Sequence, residues 1–206
     1  MNRRLAVFGA FVALSIIFAS ARKAPAATDL PNYELLNRIA ACQSVACVEA
    51  NRTAVKQKTE WTVFYASWLL LKPSSREASK GLLENIPATD QEQMQLFTLP
   101  VWHKGATSTD EQMELLDRIH SEWPRLLSAA ALRWPEYLPA YIGYGKLAAH
   151  YLHTEYADYE RKVCRKDRSG FSAAFRTLNA DDQNIIRGFV FDPDGCATIL
   201  VTDPFQ

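Results

Sequence analysis

The chain has 206 residues, with 23 basic and 23 acidic side chains and a formal net charge of zero. That length suits one compact domain or two small ones, and the balanced charge gives no electrostatic reason to expect nucleic acid or an anionic membrane as a partner. Four cysteines and only eight glycines point instead to a helical chain that meets an oxidising compartment.

Leu5 to Ala19 is one apolar run behind Arg3 and Arg4, the right length for the core of an export signal and too short to span a bilayer. Small residues follow it in Ala19-Ser20-Ala21 and in Ala24-Pro25-Ala26-Ala27. Residues 1–27 are therefore expected to be a cleaved secretory signal peptide, cut after Ala27 or after Ala21. Residues 28–206 are expected to form a single helical domain, periplasmic or secreted. Cleavage removes Arg3, Arg4, Arg22 and Lys23 and no acidic residue, which leaves 19 basic against 23 acidic side chains. No later run reaches bilayer length. The nearest, Trp61 to Leu71, is eleven residues between Glu60 and Lys72 and reads as a buried core helix, so no integral membrane segment is expected after cleavage.

Residues 31–41 read as a helix with Pro31 in its first turn. Its end, Ile39-Ala40-Ala41-Cys42, has the look of a lipoprotein processing site, but the polar residues Asp29, Asn32, Glu34, Asn37 and Arg38 separate it from the apolar signal core. A long helix is predicted from near Ser44 to Lys72, ended by Pro73. Its second half is apolar on every side and should be the centre of the core. Ser74 or Ser75 caps a helix reaching Ile86, and Thr89-Asp90-Gln91-Glu92 is a capping box opening a helix to about Leu99. Pro100 to Thr107 is a loop. Ser108 or Thr109 begins another helix, which Pro124 should kink or break before the pattern resumes to Trp134. Helices follow from Pro139 to about His153, Tyr156 to Lys166, Ser169 to Leu178 and Ala180 to Phe191. Asp192-Pro193-Asp194-Gly195 is a turn, and Ala197 to Val201 a short extended strand. The echo between Ile86–Gln91 and Leu178–Gln183 fits either a duplicated helical hairpin or the shared chemistry of short helix links.

An even cysteine count in an exported chain argues for two disulfides. Three connectivities are open, and chain closeness favours Cys42 with Cys47 and Cys164 with Cys196. The cysteine and histidine spacings match no zinc, haem or zinc-protease motif. His150 and His153 could present two imidazoles from one helix beside Glu155, but the helical wheel places them with Lys146 opposite the apolar arc, on a solvated face. His120-Ser121-Glu122 and His153-Thr154-Glu155 lack the cysteine half of the zinc-deaminase signature, and Asp192–Gly195 lacks the remaining ligands of a calcium loop. The only Ser-x-x-Lys, Ser20 to Lys23, lies inside the export signal. Asn51-Arg52-Thr53 spells a glycosylation sequon at a predicted helical position. No metal or cofactor is expected.

Two functional readings follow. The first is a binding or interaction module, such as an inhibitor, an immunity-type protein or an envelope accessory factor, whose partner is another envelope or secreted protein. Its positive support is the density of aromatic residues around proline-broken helices, with Trp102, Trp123, Trp134, Tyr137 and Tyr141 as candidate anchors beside Tyr144 and Tyr151. The alternative is an envelope glycan hydrolase, in which Glu60, Glu122 or Glu136 is held protonated by its tryptophan neighbour as the general acid. Catalytic residues are not identified by any motif. The fold expected for either is an all-α bundle of eight or nine helices with an irregular C-terminal tail.

Overall fold

The structure of the protein, a computed structural model, describes residues 30–97, 110–148, 153–189, 191–192 and 196–198. These residues form ten α-helices, two single-turn 3-10 helices and a pair of two-residue strands, so the fold is all-α as composition predicts. The described residues from Pro31 onward belong to one compact unit.

Asn32 opens α1 (Tyr33–Ala40), its side-chain oxygen accepting the Leu35 N–H at 3.1 Å, and Leu35, Leu36 and Ile39 are buried. Pro31 precedes this cap and is not in the first turn, because asparagine supplies an acceptor that proline lacks. The long helix expected from Ser44 to Lys72 is three elements: α2 (Val45–Ala50), a 3-10 turn (Arg52–Ala54) and α3 (Lys58–Leu71). Ser44 caps α2 and Asn51 ends it, the Asn51 amide donating to the Cys47 carbonyl at 2.9 Å. The chain then extends at Val55. It turns helical again where Glu60 accepts the Lys56 and Gln57 N–H groups at 2.8 and 3.1 Å. Short polar side chains and a glutamate placed for a cap give the backbone partners outside a continuous helix, a competition that apolar spacing does not register.

Along α3, Val63, Phe64, Ala66, Trp68 and Leu69 are buried, while Trp61, Tyr65, Leu70 and Leu71 remain partly accessible. Ser75 caps α4 (Arg76–Glu84) by accepting the Ala78 N–H. At α5 (Asp90–Phe97), Thr89 accepts the Glu92 N–H at 3.2 Å, and Glu92 reaches back one residue further than a capping box requires, to the Ala88 N–H at 2.7 Å. Lys58 pairs with Glu92 and Thr59 bonds to Gln95, fastening α5 to α3.

The helix α6 (Asp110–Arg133) runs unbroken through Pro124. The expected break does not occur: proline removes one N–H and crowds the carbonyl a turn back, but Trp123, Leu126, Leu127, Ala130 and Ala131 around it are all buried and hold the helix by packing. It packs against α1, α3 and α4, and also against α7 (Leu138–Ala148) and α8 (His153–Lys166), so it joins the N-terminal and C-terminal halves of the core. The centre expected on α3 is thus shared with α6. A 3-10 turn (Pro135–Tyr137) leads into α7; α9 (Arg168–Arg176) and α10 (Ala180–Phe189) pack on α7. Asn179 accepts the Asp182 N–H at 2.8 Å, as Thr89 does that of Glu92, so the sequence echo coincides with a shared N-cap geometry. A hairpin pairs β1 (Phe191–Asp192) antiparallel to β2 (Ala197–Thr198), with Phe191 opposite Thr198. The expected signal, the loop from Pro100 to Thr107, the start at Ser108 or Thr109, Pro193 to Gly195 and residues past 198 lie outside the described residues.

Candidate functional site

Both disulfides have the expected connectivity. Cys42 and Cys47 are joined with Cα atoms 5.5 Å apart, and Cys164 and Cys196 with Cα atoms 5.6 Å apart. The second bridge ties α8 to the start of β2 and is buried at both ends. The first is asymmetric, with Cys42 buried at the end of α1 and Cys47 exposed on α2. A sulfur bonded to Cys47 leaves Cys42 no free thiol for a lipid.

The candidate aromatic anchors separate into two groups, with Trp102, like Tyr151, outside the described residues. Trp123 and Tyr141 are fully buried and present no surface to a partner. Trp123 belongs to the face of α6 that meets α7, where its indole N–H donates to the Tyr144 hydroxyl at 2.9 Å. Tyr141 packs against Tyr156 of α8 with ring centroids 5.5 Å apart. As candidate anchors these two positions are therefore corrected: their aromatic density is core packing. The Trp123 tip meets another aromatic residue inside the core, and the Tyr141 ring is enclosed there against Tyr156.

Trp134 and Tyr137 are half-buried where α6 ends beside α4. The Arg76 guanidinium lies 4.7 Å from the centre of the Trp134 ring, and the indole N–H donates to the Arg76 carbonyl at 3.3 Å. The Tyr137 hydroxyl donates to Glu84 at 2.7 Å. Between them and the helix end, Arg133 bonds to the Ser79 hydroxyl and to the carbonyls of Pro73 and Ser75. Leu132, one residue earlier, is 42% exposed. This ledge carries two half-buried aromatic rings, each held to α4 by a polar contact.

The three glutamates proposed as general acids have other occupations. Glu60 is buried and accepts three backbone N–H groups, adding that of Asn32 at 2.9 Å to those of Lys56 and Gln57, so it straps α1 to the start of α3. Glu122 is bonded to Arg125 one turn on. Glu136 stands exposed in the 3-10 turn.

The unusual carboxyl is Glu160, which the sequence reading passed over. It is 0% exposed, and neither oxygen has a hydrogen-bond partner within the described residues. Burial pushes its carboxyl well above the ordinary carboxylate range. It lies in a seam formed by α7 and α8. Tyr156 donates to the Tyr141 carbonyl, and the rings of Tyr144 and Tyr156 are 5.3 Å apart. The same burial raises the hydroxyls of Tyr141, Tyr144 and Tyr156. Gly145 makes the approach possible: a Cβ there would sit 3.1 Å from Glu160 Oε1. A signal for this site was present in the sequence. Tyr156, Ala157, Val163 and Cys164 mark the buried stripe of α8, and Glu160 falls in its middle.

His120 bonds through Nε2 to the Leu96 carbonyl at 2.9 Å, which fixes α5 against α6. His150 and the side chains of His153 and Glu155 lie outside the described residues. Lys146, expected on a solvated face, is half-buried in an ion pair with Asp182 of α10 at 2.8 Å. Among the described residues no three His, Cys, Asp or Glu side chains are grouped to hold a metal ion, and no helix is long and apolar enough to cross a membrane. Comparison with protein-family models, curated proteins and solved structures finds no match to the chain.

Proposed function

We propose that the protein is an exported helical binding module that engages another envelope or secreted protein through the Trp134–Tyr137 ledge. The observation that carries this reading is the bracing of Trp134. Its ring is stacked by Arg76 on one side and bonded through its indole edge, yet part of it stays open to solvent. A ring already immobilised before docking gives up little side-chain entropy on binding, which favours it as an anchor. Export is supported by the N-terminal apolar run with its small-residue cleavage pattern and by two disulfides. The glycan-hydrolase alternative has less to rest on, since Glu60, Glu122 and Glu136 have the placements given above and Glu160 is enclosed.

The test begins with crosslinking of the exported chain in its native cells to identify the partner, followed by titration of the purified pair. Trp134→Ala should weaken binding by about 2 kcal/mol, roughly thirtyfold, with the helical content unchanged. Wild-type affinity in both Trp134→Ala and Tyr137→Ala would sink the proposed surface.

A further inference from the structure

The two disulfides are built for different lives, and we propose that Cys42–Cys47 is an exchangeable bridge through which an external dithiol couples to this chain at the α1–α2 elbow. Exposure sets the direction of attack: Cys47 faces solvent, whereas Cys42 is 6% exposed and sits behind it. The departing sulfur has a donor waiting. Asn51 holds its amide nitrogen 4.0 Å from Cys42 Sγ and 2.9 Å from the Cys47 carbonyl, while Arg38 Nε donates to Asn51 Oδ1 at 2.8 Å. The guanidinium thereby polarises the amide whose N–H faces Cys42, and an N–H donor stabilises the thiolate formed when the S–S bond breaks.

In the exchange, a partner thiolate attacks Cys47 Sγ. The Cys42–Cys47 bond breaks, its electron pair goes to Cys42 Sγ, and a mixed disulfide forms on Cys47. Cys42 takes a proton from water. The partner's second thiol, on losing its proton, attacks the partner's own sulfur and expels the Cys47 thiolate, which is protonated in turn. The chain gains two electrons and two protons, and the partner dithiol becomes a disulfide. The fold survives because α1 is held independently, by Leu35, Leu36 and Ile39 in the core and by the Asn32 N–H on Glu60. Cys164–Cys196, buried at both sulfurs, is shielded from the same attack and serves as an internal reference.

Incubating the native full chain with glutathione and iodoacetamide together, then mapping peptides without reduction, tests the direction. The expected product carries glutathione on Cys47 and the alkyl group on Cys42, with Cys164–Cys196 intact. Dithiothreitol should open the same bridge completely while the far-ultraviolet spectrum holds. Asn51→Asp keeps the side-chain shape and the pairing with Arg38 but sets a negative oxygen beside the departing sulfur. It should slow opening on the order of fivefold, without altering reduction of the other bridge in unfolded protein. Adducts on Cys42, opening of both bridges at one rate, or an Asn51→Asp rate equal to wild type would each overturn the proposal.

Discussion

Glu160 has to enter the core uncharged, and that requirement fixes how stability varies with pH. Its folded-state affinity for a proton is raised by burial, with no charged group among the described residues set against it; the titratable side chains around it are Tyr141 and Tyr156. The unfolded chain ionises this carboxyl near the ordinary value of 4.5, while the folded chain keeps the proton to a higher pH. Stability from this group is therefore complete below the unfolded value and is lost as pH rises toward the folded one. The slope is about 1.4 kcal/mol per pH unit across that interval. Thermal unfolding of wild type and Glu160→Gln from acid to mildly alkaline pH should show this difference. The two curves should approach each other at about pH 4, and the variant should be the more stable at about pH 8. A flat difference across the range would show that the carboxyl reaches water. At Gly145 the same seam predicts a steric result: alanine pushes on Glu160 and should cost about 1 kcal/mol in chemical denaturation, because close packing leaves α7 and α8 little room to part.

At the scale of elements, Glu60 does more than start a helix. Its carboxylate unites the entry to α1 with the entry to α3, so Glu60→Ala leaves three backbone N–H groups without their acceptor. Equilibrium unfolding should record a loss of about 3 kcal/mol. This role also shows where sequence reading stops. Apolar spacing located the helices because burial repeats with the helical period, and it placed Ser75, Thr89 and the C-terminal helices closely. It did not separate α2 from α3, since that boundary depends on which donors Glu60 and Asn51 collect once the chain has folded. It overestimated Pro124, whose local cost is outweighed by contacts to helices distant in sequence. Among the aromatic residues, type marked a group of candidates but not their exposure: Trp123 is enclosed and Trp134 half-buried. Glu160 was legible as a charge within an apolar stripe, a pattern that only becomes conspicuous when one helix is read by itself.

For the molecule as a whole, α6 carries the connection between two sets of helices, and the disulfides fall one in each. The bridge from Cys164 to Cys196 spans 32 residues and the bridge from Cys42 to Cys47 spans five. Loop-closure entropy then predicts that removing the first by paired alanine substitutions costs about 4 kcal/mol and removing the second about 2 kcal/mol. Urea midpoints of the two double variants, converted with a common slope, measure the ratio; equal losses would mean that native packing, not chain restriction, sets the contribution of each bridge.

The aromatic residues also provide separate optical signatures for the two sets. Trp61 stacked with Tyr65, and Phe64 edge-on to Trp68, belong to α3, whereas Trp123, Tyr141, Tyr144 and Tyr156 are locked together across α6, α7 and α8. Fixed asymmetric surroundings of this kind give rings their near-ultraviolet circular dichroism, which vanishes when side-chain packing loosens even if helices persist. With Trp123 replaced by phenylalanine, the tryptophan bands that remain report on the other aromatic groups, α3 among them, and the difference from wild type reports on the Glu160 seam. Raising the pH destabilises the Glu160 seam first, and because α6 packs on both sets the two parts of the spectrum should fade together; loss of one before the other would show that the seam opens on its own.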